Sequence, residues 1–298
     1  MSLNHWLRRG EWLELAPGKK IASAEDREAA AAAWLLNEAG MPEKLLGQLK
    51  ASNGIEWKGD RLRLALFAAR KAGIEPIWMD LTVLYEDDFC LVVHKPAGMK
   101  VHPDGHSDEI TLDHAVAAHY QMQGEEIAVR HIHRLDQHTT GPVLYAKNDW
   151  AQLVLDKEMS GKRISRIYAA FVEGRIPADL KVIDLPIGKD RHHKQRRRVS
   201  PGGQSAVTRI LHAEAGNQAS LVYLELETGR THQIRVHLSH VGHPLLGDAL
   251  YGGSMSAIGR QALHGERLSF AHPLTREQIE VSDPWPEDME RLKALVRA

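Results

Sequence analysis

The stretch His133-Arg134-Leu135-Asp136-Gln137-His138-Thr139-Thr140-Gly141-Pro142 is the most informative part of the sequence. It places an acidic side chain two positions after an arginine and shortly before a Thr-Thr-Gly turn. The stretch is too polar, and too clearly marked by glycine, for a buried strand, so we expect a loop. The apolar run from Val143 to Ala146 predicts a strand that leaves this loop. Taken alone, Asp136 fits a turn-capping aspartate more simply than a functional carboxylate.

Short strands dominate the sequence on both sides of the loop. Val83 to Tyr85 and Phe89 to Val93 flank an acidic turn and predict a hairpin. The further predicted strands lie near 167–172, 206–211 and 221–226, and the predicted helices at 111–120, 149–159 and 231–241. Because strands outnumber helices and regular crossover helices do not separate them, the predicted fold class is α+β with a mostly antiparallel mixed β-sheet.

The sequence pattern changes near residue 80, which predicts two domains. Residues 1–80 are expected to form a small N-terminal α/β module, and residues 81–298 the main domain. Within the module, an alanine-rich helix is predicted from Ala24 to Ala39, followed by short strands between Ile55 and Leu66.

The composition bounds the class of protein. The chain has 298 residues and is 43% hydrophobic, which is ample for a folded core. Its formal charge of -1 gives no overall preference for a polyanionic partner. The single cysteine, Cys90, excludes an intrachain disulfide and a cysteine-clustered zinc site. We find neither a membrane-spanning run nor a signal-peptide pattern at Met1 to Trp6, and therefore expect a cytoplasmic protein without membrane contact.

Three other segments carry polar residues and glycines in patterns that complement the Asp136 loop. They are His94-Lys95-Pro96-Ala97-Gly98-Met99, Arg166-Ile167-Tyr168-Ala169-Ala170 and Thr228-Gly229-Arg230-Thr231-His232-Gln233-Ile234-Arg235-Val236-His237. With the loop, and in this order, they resemble the RluA family of RNA pseudouridine synthases over roughly residues 83–282, and several separated motifs make chance a poor explanation. The resemblance implies isomerisation of specific uridines in structured RNA, in which the bond between base nitrogen and sugar carbon is cleaved and the base is rejoined through carbon.

The resemblance also implies which residues carry the reaction. Asp136 matches the catalytic aspartate, Tyr168 the tyrosine beside the target base, and Arg235 the arginine paired with the aspartate. Arg134 matches the arginine near the flipped-out nucleotide. Two positions depart from the family. Thr140 stands where the family more often has serine, and it keeps a hydroxyl. Arg166 stands where lysine is common, and it keeps a positive charge. The remaining positions expected to contact the substrate are His133, Thr140, Arg166 and Arg230.

These residue types also suit the reaction on chemical grounds. Breaking a glycosidic bond develops positive charge on the sugar, and an ionised Asp136 can act there as nucleophile, base or electrostatic stabiliser. A neighbouring arginine favours the ionised carboxylate, and Arg235, on a helix with an apolar core-facing side, is the candidate. A stacked uridine must leave its helix to reach such a pocket, where Tyr168 offers an aromatic face. Since an isomerisation returns every atom, no cofactor is expected.

A strongly basic run extends from Lys189 to Arg198, where six of ten residues are Lys or Arg. A solvated loop is the plain interpretation of such a run. In a chain that is otherwise near neutrality, we favour contact with RNA phosphates, in particular by Arg196, Arg197 and Arg198, with an affinity that falls as salt rises.

Several alternatives stay open at the level of the sequence. The N-terminal module could be a degenerate S4-like RNA-binding domain or could only pack against the main domain. The alternative functions are an RNA-binding protein without chemistry and a metal-dependent hydrolase that uses some of the 18 histidines. No matched ligand spacing supports the second, so we expect no metal site. Ribosomal and transfer RNA are equally compatible partners, and nothing requires a protein partner or more than a monomer.

Overall fold

The computed structural model of the chain describes residues 6–105 and 108–297. The predicted absence of a signal peptide concerns mainly Met1 to His5, which lie outside the described residues. Within the two described ranges, no helix combines the length and the apolar character needed to cross a membrane.

Short strands form most of the architecture, as expected for a sequence with alternating apolar positions and frequent turn residues. In the described part of the chain, they pair as a six-stranded, a four-stranded and a three-stranded sheet and one two-stranded hairpin. The strands are β1 (Trp6–Arg9), β2 (Trp12–Leu15), β3 (Ile55–Lys58), β4 (Arg61–Leu64), β5 (Val83–Glu86), β6 (Cys90–Lys95), β7 (Gly141–Ala146), β8 (Ser165–Glu173), β9 (Val182–Asp184), β10 (Ile187–Lys189), β11 (Arg197–Val199), β12 (Val207–Ala215), β13 (Ala219–Leu226), β14 (Leu263–Ala271) and β15 (Gln278–Ser282).

The helices are short, and several begin at a residue that suits a helix N-terminus. They are α1 (Lys19–Ala22), α2 (Arg27–Asn37), α3 (Glu43–Ala51), α4 (Leu112–Met122), α5 (Asp149–Ser160), α6 (Gln233–His240), α7 (Glu287–Glu290) and α8 (Lys293–Arg297), with a 3₁₀ turn at Ala249–Tyr251. Asp26 caps α2 by accepting the N–H of Ala29 at 2.9 Å, and Asn148 caps α5 by accepting the N–H of Ala151 at 2.9 Å. Such caps satisfy N–H groups that have no partner inside the helix.

The six-stranded sheet has the order β15-β14-β8-β13-β12-β9, and all its neighbouring strands are antiparallel. Residues 169–172 of β8, in the middle of this sheet, are fully buried. The predicted α+β fold with mostly antiparallel strands is therefore confirmed.

The three-stranded sheet, with the order β5-β6-β7, carries the strand that leaves the Asp136 loop. The predicted hairpin between its first two strands is present, and Asp87 closes the turn by accepting the N–H groups of Phe89 and Cys90, each at 2.7 Å. The hydroxyl of Tyr145 on β7 donates to Asp113 on α4 at 2.8 Å, which fixes the helix against the sheet.

The N-terminal region contains the four-stranded sheet, with the order β1-β2-β4-β3, and helices α1 to α3. Its buried residues, such as Leu13 and Leu62, share one continuous apolar cluster with Leu144 of the three-stranded sheet and with Phe89 in the turn before β6. The sequence did not predict β1 and β2. The domain division at residue 80 stays a prediction.

Candidate active site

The loop that carries Asp136 is fixed by a close backbone crossing. Gly141 has a φ of 137°, and a side chain on it would lie 2.7 Å from backbone atoms of Gly265 on β14. The N–H of Gly265 donates to the carbonyl of Thr140 at 2.7 Å. Only glycine allows this conformation and this separation, so the end of the loop has little freedom.

Lys95 fixes the loop from the other side. Its ammonium is completely buried and donates to the carbonyl oxygens of Pro96, Met99 and Gln137 at 2.7 to 2.9 Å. Burial lowers the pKa of Lys95 to about 7, although the charge of Asp136 opposes this shift. The segment from His94 to Met99 therefore supports the Asp136 loop.

The predicted partner of Asp136 is in place. Nη1 of Arg235 lies 3.1 Å from Oδ2 of Asp136, while Nε and Nη2 bind both carboxylate oxygens of Asp248 at 2.7 and 2.8 Å. Burial alone would lower the pKa of Arg235, but its hydrogen bonds and the two carboxylate charges raise the pKa above its usual range. Asp248 is 1% exposed and Asp136 20%, so the arginine joins an enclosed carboxylate to one that solvent or substrate reaches.

Helix α6 presents Arg235 at this position, with Ile234 and Leu238 packed in the core. The predicted helix start at Thr231 was wrong by two residues, because His232 adopts a left-handed conformation with a φ of 60° and α6 begins at Gln233. His232 places Nε2 at 3.9 Å from Oδ2 of Asp136 and Nδ1 at 2.8 Å from the hydroxyl of Tyr251.

A cavity of about 430 Å³ opens beside Asp136. This volume lies within the usual range for small-molecule sites. Tyr168 lines the cavity and is 4% exposed, and burial raises the pKa of its hydroxyl. On the other side of Asp136 lies a wider groove of about 1000 Å³, whose wall includes Lys194 and Arg197. Arg134 is exposed where the cavity and the groove meet.

Two buried side chains that line the cavity each have a nitrogen without a hydrogen-bond partner. Arg166 is 9% exposed and makes no hydrogen bond or ion pair with any described residue, and its Nε is fully enclosed. His133 is 8% exposed, and its Nε2 accepts the N–H of Leu144 at 3.3 Å, while its Nδ1 has no partner. Burial lowers the pKa of His133 to about 3, so the ring is neutral and its Nδ1 carries the hydrogen. Buried donors without acceptors are rare in folded proteins and need an explanation.

The other two predicted substrate contacts lie differently. Arg230 is half-buried at the rim of the cavity, and its Nε donates to the carbonyl of Ser205 at 2.9 Å. Thr140 lies behind the site, where its hydroxyl contacts Nδ1 of His264 at 2.8 Å. The structure thus gives Thr140 a position that holds the loop and does not line the cavity or the groove.

The basic run forms a hairpin rather than a plain loop. Strands β10 and β11 pair antiparallel, with Gly188 opposite Arg198. Arg196 and Arg197 are half-buried and Arg198 is exposed, and none of the three forms an ion pair with a described residue. The N–H of Arg197 donates to the hydroxyl of Tyr251 at 2.9 Å, which connects the hairpin to the residues around Asp136.

The sequence did not identify Asp248 and Tyr251. Both lie in the segment Gly247-Asp248-Ala249-Leu250-Tyr251-Gly252, where an acid and a tyrosine stand between glycines and could have served as a signal. Among the described residues, we find no group of three or more His, Cys, Asp or Glu side chains arranged to hold a metal ion.

Comparison with known proteins places the site in a family. A sequence model of the RNA pseudouridylate synthase family matches residues 89–240. An uncharacterized RNA pseudouridine synthase of Bacillus subtilis is 46% identical over 243 residues, which cover 81% of this chain and 80% of that protein. The chain belongs to the RNA pseudouridine synthase family. It is therefore an isomerase of the class that converts uridine in RNA to pseudouridine, and the resemblance to the RluA family is confirmed.

Two further proteins of the family match most of the chain. The ribosomal large subunit pseudouridine synthase D of Vibrio vulnificus is 40% identical over 231 residues, covering 73% of this chain and 71% of that protein. The solved structure of human RNA pseudouridylate synthase domain containing 1 superposes with a TM-score of 0.57 at 25% identity, covering 76% of this chain and 98% of the human one. The human structure therefore shares the fold of the matching region.

Proposed function

We propose that this family member isomerises uridines in ribosomal RNA, with Asp136 as the essential carboxylate. The observation that carries the proposal is the Asp136–Arg235 ion pair at the mouth of a cavity lined by Tyr168. The choice of ribosomal RNA rests on the relatives named for the large ribosomal subunit. Transfer RNA is the second candidate substrate.

In the proposed reaction, the bond between N1 of uracil and C1′ of ribose breaks and a bond between C5 and C1′ forms. The hydrogen on C5 leaves as a proton and N1 gains a proton, so atoms and electrons balance without another reactant. Asp136 acts at the sugar, as nucleophile, base or stabiliser of positive charge, and Arg235 keeps its carboxylate ionised and oriented. Tyr168 stacks on the everted base.

The unpartnered donors of the cavity support a role in holding the substrate nucleotide. We assign Arg166 and the Nδ1–H of His133 to oxygen acceptors of the everted nucleotide, because such acceptors would satisfy groups that the protein leaves unpaired. Arg134 and Arg230, at the exposed edge, are assigned to neighbouring phosphates.

The basic hairpin is proposed to bind RNA backbone. Its cations carry no acidic partner among the described residues, and Lys194 and Arg197 face the groove next to Asp136. Release of counterions from RNA would then make binding weaken as salt rises. The S4-like nature of the N-terminal module, the cytoplasmic location and the monomeric state stay predictions.

Mapping of pseudouridine at single-base resolution tests this proposal. Ribosomal and transfer RNA are compared from cells that lack the gene, and from the same cells complemented with the wild-type or the Asp136→Asn chain. We expect one or a few sites in ribosomal RNA to disappear and to return only with the wild-type chain. An unchanged map would contradict the function, and loss confined to transfer RNA would contradict the choice of substrate. Activity that EDTA abolishes and zinc restores would favour the hydrolase alternative.

A further inference from the structure

Tyr251 connects the basic hairpin to the active site through its hydroxyl. The N–H of Arg197 donates to this oxygen at 2.9 Å, and Nδ1 of His232 lies 2.8 Å from it. Because the hydroxyl accepts from Arg197, its own hydrogen is available for Nδ1 of His232. A hydrogen bond in this direction leaves the ring hydrogen on Nε2, which is the nitrogen 3.9 Å from the carboxylate of Asp136.

The ring of Tyr251 is held at the same junction. The guanidinium of Arg235 lies 4.9 Å from the ring centre, and that of Arg196 lies 5.5 Å from it. The ring also belongs to a small buried cluster with Ile187 of β10 and Val236 of α6. The hairpin and helix α6 thus meet at this side chain, and Arg235 and His232 connect it to Asp136.

The backbone at this junction depends on the same contacts. His232 has a φ of 60°, a left-handed conformation that is uncommon for residues other than glycine, although histidine adopts it more often than most. The carbonyl of Tyr251 accepts the hydroxyl of Ser239 on α6 at 2.8 Å, so the tyrosine is anchored to the helix that His232 precedes. The position of the His232 ring therefore follows the position of Tyr251.

We propose that Tyr251 is a positioning residue that couples RNA contact at the basic hairpin to the orientation of His232 and Asp136. The N–H of Arg197 donates to the tyrosine hydroxyl, and the hydroxyl holds His232 with Nε2–H toward the carboxylate. RNA bound to the hairpin would hold Arg197 in place and thereby secure these contacts. The coupling to RNA rests on the proposed function of the hairpin, while the contact between Tyr251 and His232 does not.

The Tyr251→Phe variant tests the coupling, because it removes the hydroxyl and keeps the ring. We expect the maximal rate of pseudouridine formation to fall about tenfold, with RNA affinity within twofold of wild type. A rate within twofold of wild type, or an equal loss of affinity, would overturn the proposal. Tyr223→Phe is the matched control, since Tyr223 is half-buried near His212 and Trp285, away from the site, and its rate should stay unchanged.

A second measurement is independent of turnover. The ¹⁵N shifts of the His232 ring report which nitrogen carries the hydrogen, and we expect the Nε2–H form in the wild type, with a shift on RNA binding that Tyr251→Phe abolishes. Identical ring shifts in the two proteins would refute the Tyr251–His232 contact even if the chain modified no RNA. If the chain formed no pseudouridine but the ¹⁵N shifts of the His232 ring were as expected, only the proposed function would be refuted.

A double-mutant cycle separates one coupled pathway from two independent effects. His232→Asn keeps a side chain that tolerates the left-handed backbone and loses the ring nitrogen near Asp136. If Tyr251 acts through His232, the double variant should be no slower than His232→Asn alone. Rate losses that multiply would show that the two residues act separately and would contradict the proposed coupling.

Discussion

Asp248 holds Arg235 through both carboxylate oxygens, at 2.7 and 2.8 Å, while the remaining nitrogen of Arg235 reaches Asp136 at 3.1 Å. A guanidinium has the planar fork needed to serve both carboxylates at once, which an ammonium lacks. Asp136 is thus oriented by a group that is itself fixed by a buried acid. The arrangement explains how a partly exposed carboxylate keeps one orientation before substrate arrives.

Asp248→Asn should weaken both the fold and the reaction, because it leaves the buried charge of Arg235 with a poorer partner. We expect the free energy of unfolding to fall by about 3 kcal/mol and turnover to fall at least tenfold, as measured by urea denaturation and pseudouridine formation. Glu287→Gln is the control, since Glu287 is 80% exposed and pairs with Arg291, which is 71% exposed. The control should leave both the free energy of unfolding and turnover unchanged. Equal losses in the two variants would contradict this account.

Arg166→Gln should reduce activity without reducing stability. Arg166 is a buried cation that has no partner in the described structure, so removal of its charge relieves a desolvation cost. We expect kcat/KM to fall about ten- to a hundredfold, which corresponds to about 1.4 to 2.7 kcal/mol for a charged hydrogen bond to substrate. The free energy of unfolding should stay equal or rise. Arg163→Gln, at an exposed arginine paired with Glu158, is the control for activity. A destabilised but fully active Arg166 variant would show a structural role.

Neutralisation of Arg196, Arg197 and Arg198 to glutamine should weaken RNA binding and its dependence on salt. Loss of three phosphate contacts lowers the slope of log affinity against log salt by about 2 to 3. Filter binding at several salt concentrations measures this slope. The matched variant removes three exposed lysines of the N-terminal module, Lys44, Lys50 and Lys58. An unchanged slope in the hairpin variant would contradict RNA contact by the hairpin. A lower slope in the lysine variant would indicate that the N-terminal module contacts RNA.

His133 should make stability depend on pH. Burial lowers its pKa from 6.5 to about 3 in the folded state, so between these values the unfolded chain binds a proton that the folded chain does not. Stability from this group is therefore present above pH 6.5 and is lost as pH falls toward 3, by up to about 1.4 kcal/mol per pH unit. His133→Gln should flatten the difference in unfolding free energy between pH 6 and pH 4. Substitution of the exposed His212 should leave it unchanged, and an equally steep dependence in His133→Gln would contradict the assignment.

Much of the fold could be predicted because its signals are local. The acidic turn at Asp87 and the apolar run from Val143 to Ala146 each specify an element within a few residues, and the structure has both. Strands β1 and β2 were not predicted, although Gly10 and Glu11 separate two runs that are as short as the predicted β3 and β4. The basic run concealed β10 and β11, because the charges of Lys189 and Arg197 obscure any apolar pattern.

The residues of the candidate site were also predicted only in part. The pairing of Asp136 with Arg235 followed from the resemblance to the RluA family, and the two residue types suit the reaction on chemical grounds. Asp248 and Tyr251 act through contacts between segments that lie far apart in the chain, and no periodicity reports such contacts. The left-handed backbone of His232 was equally hidden, because a positive φ is uncommon even for histidine, which adopts it more often than most residues do. Sequence therefore indicated the reacting groups better than the residues that position them.

The most direct test of the central claim is the release of hydrogen from C5 of uridine in RNA that carries tritium at this position. Isomerisation must exchange the C5–H bond for a C5–C1′ bond, so release reports the reaction itself. We predict release by the wild-type chain in step with pseudouridine formation, and none by Asp136→Asn. The RNA affinity of this variant should stay within about twofold of wild type, because the neutral amide has nearly the same shape as the carboxylate that it replaces. Release by Asp136→Asn at the wild-type rate would contradict the account.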